Sequence, residues 1–377
     1  MLEFRQVSKK YLSRTVLKEI SFQVEPGELV VLIGSSGCGK TTTLKMINRL
    51  IEPTSGQIFL RGKDIQELDP IALRLGIGYV IQRVGLIPHM TVAENIELVP
   101  YLRGWDRKRR RDRVLELMEL VNLSPDLYQH KKPAMLSGGQ QQRVGIARAL
   151  ATEPDLILMD EPFSALDPLT RAQLQDELKT LQSRVHKTIV LVSHDMNEAL
   201  GVADRIIFMQ EGNIVQMGPP REFLTSPTND VVSSFFSNAS YLRNSHLIFA
   251  RDMVLEDYPY IHEDTPLSVS AELFDSTEEE FVLVLDNERR CKGYVTAKEL
   301  NKNPLDALLS QIVLRQPRRI AADTPSGDVV QLFQTNKHLL FVSIEDENGK
   351  VLGIMTREGV IHFFAQLIER ARRGEDV

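Results

Sequence analysis

The first part of the chain, to about residue 235, alternates short apolar runs with longer amphipathic stretches. Continuous apolar runs of strand length, separated by helical stretches, are typical of a mostly parallel sheet covered by helices on both faces. Residues 2–24 precede these runs and predict antiparallel strands. The runs that predict buried strands are Leu29–Ile33, Gly78–Ile81, Leu156–Met159, Thr188–Val192 and Arg205–Met209.

The last third of the chain contains an internal repeat. Asp264-Thr265-Pro266 recurs 59 residues later as Asp323-Thr324-Pro325, and Phe281-Val282 recurs 60 residues later as Phe341-Val342. Each unit has the pattern of helix, strand, turn, strand and helix. One unit alone is small for a stable core, so we expect the two to pack together as one domain.

The pattern weakens between Pro219 and Asn244, where prolines precede a segment rich in Ser and Asn. This stretch predicts one short helix and then a linker. We therefore divide the chain into a first domain at 1–237, a linker at 238–248 and two repeat units at 249–308 and 309–371.

Composition and charge exclude several classes of protein. Hydrophobic residues make up 42% and charged residues 25%, as in ordinary globular proteins, and the net charge of -6 disfavours a nucleic-acid partner. Two cysteines make no disulfide framework and fit a reducing cytosol. No apolar run approaches the roughly 18 residues that span a bilayer, so any membrane role is expected to come through a partner. The basic run Arg107–Arg111 begins a helical pattern and predicts a solvated amphipathic helix, with contact to anionic lipid headgroups as the alternative.

A glycine-rich loop matches the pattern G-x-x-x-x-G-K-[ST] between a predicted strand and a predicted helix. The backbone N–H groups of such a loop and the helix N-terminus bind phosphate. We expect Lys40 to reach the β- and γ-phosphates and the Thr41 hydroxyl to bind Mg²⁺. The residues predicted to bind nucleotide here are Gly34, Ser35, Ser36, Gly37, Cys38, Gly39, Lys40, Thr41 and Thr42.

Two carboxylates follow the predicted strand at Leu156–Met159. Asp160 ends that strand, where it can hold the Mg²⁺ shell beside the glycine-rich loop. Glu161 comes next, where a carboxylate can polarise an attacking water. Together the loop and these residues predict a P-loop nucleotide hydrolase.

A second anion-binding segment, Ser137-Gly138-Gly139-Gln140, begins a predicted helix about 100 residues after the first. One nucleotide-binding domain needs only one triphosphate-binding site. A second such site is useful if it closes on nucleotide held by another copy of the chain. Leu136–Arg143 resembles the signature sequence of ATP-binding cassette (ABC) ATPases, in which two cassettes sandwich two ATP molecules head to tail.

The resemblance covers residues 1 to about 237. It implies a mostly parallel sheet core, an antiparallel β subdomain and a helical subdomain. It also implies that Tyr11 stacks on adenine and that Gln82 touches Mg²⁺ or water. By the same resemblance, Asp167 lies in the D-loop at the dimer interface and His194 contacts the γ-phosphate.

The repeat units resemble paired CBS (cystathionine β-synthase-type) motifs at Gly293–Thr296 and Gly353–Thr356. A cassette followed by a tandem CBS α/β domain resembles the ATPases of importers for glycine betaine, carnitine, choline and proline betaine. Nucleotide-binding CBS motifs carry an Asp three residues after the Thr, whereas Glu299 and Gly359 stand here. We therefore do not expect the tail to bind AMP or ATP.

Two other ligands of the tail stay open, beside the alternative that the tail is a dimerisation domain whose arginines are ordinary surface residues. One is cyclic di-AMP, which relatives bind at the CBS dimer interface, and the other is an anionic lipid surface, which would make binding sensitive to salt. The arginines that could form a cationic face for lipid are Arg315, Arg318, Arg319, Arg370, Arg372 and Arg373.

These resemblances predict the ATP-hydrolysing subunit of an importer for quaternary-amine osmoprotectants, using ATP and Mg²⁺. They imply a homodimer that powers a separate integral-membrane permease, together with an extracytoplasmic substrate-binding protein, at the cytoplasmic face of the membrane. One alternative is the same ATPase with a different quaternary-amine cargo. Another is a protein that chiefly senses nucleotide. An ABC ATPase that acts on ribosomes or DNA would need two fused cassettes or a long coiled coil, and this sequence has neither.

Overall fold

The computed structural model describes residues 1–377 except 13, 83–84, 238–246, 256, 277–279, 301–302, 313 and 374–377. The chain divides into two compact units, Met1–Phe236 and Ser237–Val377. Most of the predicted linker at 238–248 lies outside the described residues. Within the described ranges, no helix combines the length and the apolar character that crossing a bilayer requires.

The described residues of the first unit form ten strands in two sheets. A four-stranded antiparallel sheet has the order β2-β1-β4-β5, and a six-stranded sheet has the order β10-β9-β3-β8-β7-β6. The strands are β1 (Leu2–Tyr11), β2 (Arg14–Val24), β3 (Leu29–Gly34), β4 (Ser55–Leu60), β5 (Lys63–Asp64), β6 (Ile77–Val80), β7 (Leu156–Asp160), β8 (Thr188–Val192), β9 (Arg205–Gln210) and β10 (Asn213–Gly218).

Five strands of the larger sheet run parallel, and only β10 is antiparallel to its neighbour. Every residue of β3, β7 and β8 is buried, which explains why these strands read as continuous apolar runs in the sequence. The prediction of a mostly parallel sheet core with an antiparallel β subdomain is therefore confirmed. The strand ends agree with the predicted ones to within one residue.

Ten helices accompany these sheets in the described part of the first unit. Side-chain caps start many of them, because Ser, Thr and Asp can accept the unpaired N–H groups of a first helical turn. Asp69, Thr91, Asp106 and Asp167 each accept such a bond. The helices are α1 (Lys40–Ile47), α2 (Pro70–Leu75), α3 (Val92–Leu102), α4 (Arg107–Leu120), α5 (Pro125–Tyr128), α6 (Gly138–Leu150), α7 (Pro168–Val185), α8 (Met196–Val202), α9 (Pro220–Thr225) and α10 (Asp230–Ser237).

The basic run forms the first turns of α4, and the helix is amphipathic as expected. Val114, Leu117 and Met118 are buried on one side. Arg109 lies over the ring of Trp105, with its guanidinium carbon 3.5 Å from the ring centroid.

The end of the first unit differs from its prediction. Two short helices, α9 and α10, occupy a stretch for which the sequence predicted one. Phe223 of α9 and Phe236 of α10 pack with ring centroids 5.0 Å apart, and Phe236 also lies 6.1 Å from Phe208 of β9. Packing of these aromatic rings against the sheet stabilises helices that are too short to be stable alone.

In the second unit, the part of the chain that the structure describes forms two three-stranded sheets of matching topology, β11-β12-β13 and β14-β15-β16. In each sheet the first two strands are parallel and the last two antiparallel. The short first strands were not predicted, because three or four residues carry too little alternation. The elements are β11 (Tyr260–His262), α11 (Leu267–Ser276), β12 (Val282–Leu285), β13 (Cys291–Val295), α12 (Ala297–Leu300), β14 (Arg318–Ala321), α13 (Ser326–Thr335), β15 (Phe341–Glu345), β16 (Val351–Thr356) and α14 (Arg357–Arg373).

The two repeats meet through equivalent residues. Phe281 stacks on Phe341, with ring centroids 3.9 Å apart and ring planes at 15°. Arg290 forms a backbone bridge with Lys350, which is its counterpart 60 residues later. Contacts between equivalent positions place a local two-fold axis between the repeats, so that the two share one core.

Each repeat also exchanges its leading segment with the other. Backbone bridges join Phe249 to Pro325 and Leu255 to Ile354. The equivalent bridges in the other direction join Leu308 to Pro266 and Arg315 to Tyr294. The segments therefore interleave, and the boundaries at 249–308 and 309–371 stay predictions.

Candidate functional site

The glycine-rich loop joins the buried strand β3 to α1. Gly34 has φ of 148° and Gly39 has φ of 110°, in the region that favours glycine. A side chain at Gly34 would collide with the carbonyl group of Met209, and one at Gly39 would collide with the Leu17 side chain. Glycine is therefore required at both positions for two reasons: the backbone has positive φ, and neighbouring atoms leave no room for a side chain.

Lys40 folds back over this loop. Its Nζ donates to the carbonyl oxygens of Gly34 at 2.7 Å and Ser35 at 2.9 Å, and the residue is only 7% exposed. Cys38 is also buried, and its side chain packs in the hydrophobic core. Ser35, Ser36 and Gly37 are exposed at the turn of the loop. The loop thus holds one fixed cation beneath an open rim of small residues.

Thr41 and Asp160 form the oxygen pair of the site. The Thr41 hydroxyl donates to Asp160 Oδ1 at 3.1 Å, joining the first turn of α1 to the carboxyl end of β7. Burial raises the pKa of Asp160, and the Thr41 hydrogen bond partly offsets that rise. A hydroxyl and a partly buried carboxylate are oxygen ligands of the kind that Mg²⁺ prefers. These two residues fit a magnesium site.

Glu161 lies where β7 turns away from the sheet. Its φ is 46°, and its N–H donates to the carbonyl oxygen of Val192 at 3.0 Å. Gln82 Nε2 donates to Glu161 Oε2 at 2.8 Å, and His194 Nδ1 lies 3.4 Å from the same oxygen. The structure therefore brings together three predicted residues that stand far apart in the sequence. Glu161 Oε1 makes no hydrogen bond to any described residue.

An open cleft above the glycine-rich loop is lined by six of the nine loop residues that are predicted to bind nucleotide. Two further residues, Arg14 and Val16 of β2, line it and were missed, since only the strand pairing shows that they face the loop. The Arg14 guanidinium lies 3.9 Å from the point where a side chain at Gly37 would begin. The lining residues are Arg14, Val16, Ser36, Gly37, Gly39, Lys40, Thr41, Thr42, Glu161 and His194.

Tyr11 stands at the edge of this region. It pairs with Arg14 where β1 turns into β2, and it is 44% exposed, with Lys9 Nζ 4.9 Å from its ring centroid. Its ring is therefore accessible for stacking, although it does not line the cleft.

The signature segment does not line the same cleft. Ser137 caps α6: its Oγ accepts from Gln140 N at 3.3 Å, and its own N–H donates to Gln140 Oε1 at 3.0 Å. Gly139 packs so closely on α7 that a Cβ would lie 2.7 Å from Thr170 Cγ2. Asp167 caps α7 by accepting from Thr170 N at 3.0 Å. Within one copy of the chain, the start of this helix therefore lies outside the cleft above the glycine-rich loop.

Comparison with known proteins agrees with this geometry. Residues 17–164 match the ABC transporter family, and residues 250–306 and 309–366 match the CBS domain. The choline transport ATP-binding protein OpuBA of Bacillus subtilis is 42% identical over 96% of this chain and 95% of its own length. The osmoprotectant import ATP-binding protein OsmV of Salmonella typhimurium is 37% identical over 100% of this chain and 99% of its own length.

The chain belongs to the family of ATP-binding proteins of ABC osmoprotectant transporters. It is an ABC-type ATPase, so the predictions of the family, the enzyme class and the CBS pair are confirmed. A solved dimeric ATP-binding cassette, in a post-hydrolysis state with ADP and phosphate, is 37% identical. It superposes with a TM-score of 0.53 and covers 58% of this chain and 99% of that chain. The chain therefore binds ATP.

Proposed function

We propose that this protein is the ATP-hydrolysing subunit of an importer for quaternary-amine osmoprotectants such as glycine betaine, carnitine and choline. The observation that carries the proposal is the full-length match to osmoprotectant and choline transport ATP-binding proteins, CBS repeats included. The permease and the extracytoplasmic substrate-binding protein would be other chains. The protein would then work at the cytoplasmic face of the membrane, bound to that permease.

The proposed chemistry assigns the attack on the γ-phosphate to a water polarised by Glu161. Gln82 and His194 share Glu161 Oε2, which leaves Oε1 to accept a proton from that water. Lys40 would position the β- and γ-phosphates, and the glycine-rich loop would surround them with N–H groups. His194 would contact the γ-phosphate oxygens, and the Tyr11 ring would stack on adenine. Catalysis is then mainly positioning and charge stabilisation.

Thr41, Asp160 and Gln82 would hold Mg²⁺. The ion would neutralise charge on the phosphate oxygens, as in phosphoryl transfer generally. The 3.1 Å contact between the Thr41 hydroxyl and the Asp160 carboxylate supports this assignment, because both groups already point at one place.

We further propose a homodimer with two composite sites. Ser137, Gly138, Gly139 and Gln140 would contact the γ-phosphate bound by the other copy, with Asp167 at the interface. The support is that these residues begin the 13-residue helix α6, whose first N–H groups can bind an anion, yet they do not line their own copy's cleft.

Uptake in cells tests the cargo. We expect uptake of labelled glycine betaine, carnitine or choline to rise with external osmolarity in cells with the wild-type chain. It should fall to background with Glu161→Gln, because cargo movement depends on ATP hydrolysis. Equal uptake in both strains would remove the osmoprotectant assignment while leaving the ATPase in place.

A chain that chiefly senses nucleotide is the alternative, and removal of the tail separates the two. Residues 1–236 form a compact unit of their own. If the protein powers an importer, cells that carry only this unit should keep ATP-driven uptake and lose its regulation. If it is chiefly a sensor, cells that carry only this unit should lose ATP-driven uptake.

The tail is proposed to be regulatory, with cyclic di-AMP or anionic lipid as its ligand. Gly359 offers no carboxylate to a ribose, and a Cβ there would lie 3.0 Å from Leu255 Cδ1, so this position is already filled. Arg318 and Arg319 are both exposed, and Arg319 also donates to Cys291 O at 2.9 Å. The side chains of Glu299, Arg370, Arg372 and Arg373 lie outside the described residues.

Titration of the full chain separates the two tail ligands. Saturable binding of cyclic di-AMP by calorimetry, with no sedimentation on phosphatidylglycerol vesicles, would favour the dinucleotide. Salt-sensitive sedimentation on phosphatidylglycerol but not phosphatidylcholine vesicles would favour lipid.

A further inference from the structure

Glu198 is a buried carboxyl beside the cleft, and the proposed chemistry does not use it. It is the third residue of α8 and only 5% exposed. Its Oε2 lies 2.7 Å from the Ser193 hydroxyl oxygen, and its Oε1 has no hydrogen-bond partner within the described part of the chain. A buried polar atom without a partner costs stability, so its presence calls for an explanation.

The Ser193 hydroxyl connects Glu198 to the turn that carries His194. Ser193 N donates to Leu32 O at 3.1 Å, which ties the start of the turn to β3. Ser193 Oγ accepts from Asp195 N at 2.9 Å and lies 3.5 Å from Asp195 O. His194 is the residue between these two anchored positions, so the backbone under its ring is held from both sides.

The orientation of the His194 ring depends on that backbone. Its side chain is 60% exposed, and its Nδ1 lies 3.4 Å from Glu161 Oε2. An exposed ring with a long polar contact gains little orientation from packing. Its direction toward Glu161 is therefore set by the turn at 193–195.

The surroundings of Glu198 favour its neutral form. The pKa of Glu198 is raised to about 8, mainly because the carboxyl group is buried. The negative charges of Asp195 and Glu161 also raise this pKa, whereas the hydrogen bond from Ser193 and the positive charge of Arg171 lower it. Arg171 is itself paired with Asp195 at 3.2 Å. A neutral carboxyl can donate from Oε2 to Ser193 Oγ. The Ser193 hydroxyl is then free to donate to Asp195 O, so that all its bonds hold the turn.

We propose that Glu198 is a positioning residue for hydrolysis: through Ser193 it fixes the 193–195 turn and keeps the His194 imidazole against Glu161. The proposal rests on the proposed function, because it assigns Glu198 a part in that same reaction. In this proposal Glu198 acts only through Ser193.

Steady-state ATPase kinetics of Ser193→Ala and Glu198→Gln test this. Ser193→Ala removes the link at almost constant volume, and we expect kcat to fall about 10- to 100-fold with KM for ATP changed less than about twofold. Glu198→Gln keeps the shape and a hydrogen-bonding amide, so it should retain most of kcat at neutral pH. Glu119→Gln, on the exposed side of α4, controls for the substitution itself.

The pH profile supplies a readout that packing alone would not move. Wild-type kcat should decline as the pH rises through about 8, where Glu198 ionises, and Glu198→Gln should not show that decline.

The pH dependence of folding stability gives an independent check. The folded state binds the Glu198 proton between pH 4.5 and about 8 while the unfolded chain does not, so wild-type stability falls with rising pH across that window. The melting temperature of Glu198→Gln relative to wild type should therefore rise from pH 5 to pH 9.

Two results would overturn the proposal. One is a Ser193→Ala enzyme with wild-type kcat, and the other is a Glu198→Gln profile that superimposes on the wild-type profile. The same assay distinguishes failure of the proposed function, which would appear as no ATPase in wild type or as full activity in Glu161→Gln.

Discussion

Replacing Glu161 with Gln is expected to lower kcat for ATP hydrolysis about 1,000-fold, within the usual contribution of a general base. The amide can still accept a bond from Gln82 but cannot take a proton from water. Lys40, Thr41 and the glycine-rich loop are untouched, so ATP affinity should change less than about twofold. Light scattering with Mg²⁺ and ATP should then show a long-lived dimer that the wild type forms only transiently.

Glu211→Gln is the matched control for this substitution. Glu211 has φ of 47°, almost the same as the 46° of Glu161, but it is exposed on the turn between β9 and β10. It therefore controls for loss of a carboxylate at a left-handed position. Wild-type turnover in Glu161→Gln would remove Glu161 from its role, and loss of ATP binding would mean that the variant acts through the fold instead.

Mixing two inactive variants is expected to restore activity. Lys40→Ala removes the cation that is proposed to bind phosphate, and Ser137→Arg places a bulky cation at the start of α6. Each alone should reduce ATPase activity to background. A mixed dimer should contain one site with both defects and one intact site. If the copies pair at random and the sites act independently, an equimolar mixture should reach about one quarter of wild-type activity.

The control mixture pairs Lys40→Ala with the Lys40→Ala/Ser137→Arg double variant, in which no intact site can form. Both mixtures would be assayed at equal total protein concentration after the same incubation. If the test mixture stays at the level of this control, each site is complete within one chain and the composite dimer is wrong.

The sequence alone predicts features that depend on neighbouring residues. The phosphate loop at Gly34–Thr41 is one case, because its glycines, its lysine and the following helix are contiguous, and local backbone geometry makes the anion site. The parallel sheet is another, because strands buried on both faces must be continuously apolar. The repeat of Phe281 as Phe341 likewise predicts two matching units.

Tertiary structure alone decided which distant groups meet. Gln82, Glu161 and His194 converge because β6, β7 and β8 are adjacent parallel strands that end at one edge, an order that no local pattern encodes. Arg14 reaches the phosphate loop only through the pairing of β1 with β2.

The same reason covers the two features that the sequence did not indicate. The exchange of leading segments between the CBS repeats depends on long-range backbone pairing, which residue type does not specify. The sequence gives no sign that Glu198 differs from any other polar residue of a short helix. Only its burial against Ser193 makes it a candidate for orienting His194. Contiguous residues thus determined the proposed phosphate site and the class of fold, whereas the packing of distant segments decided how Gln82 and His194 are arranged around Glu161.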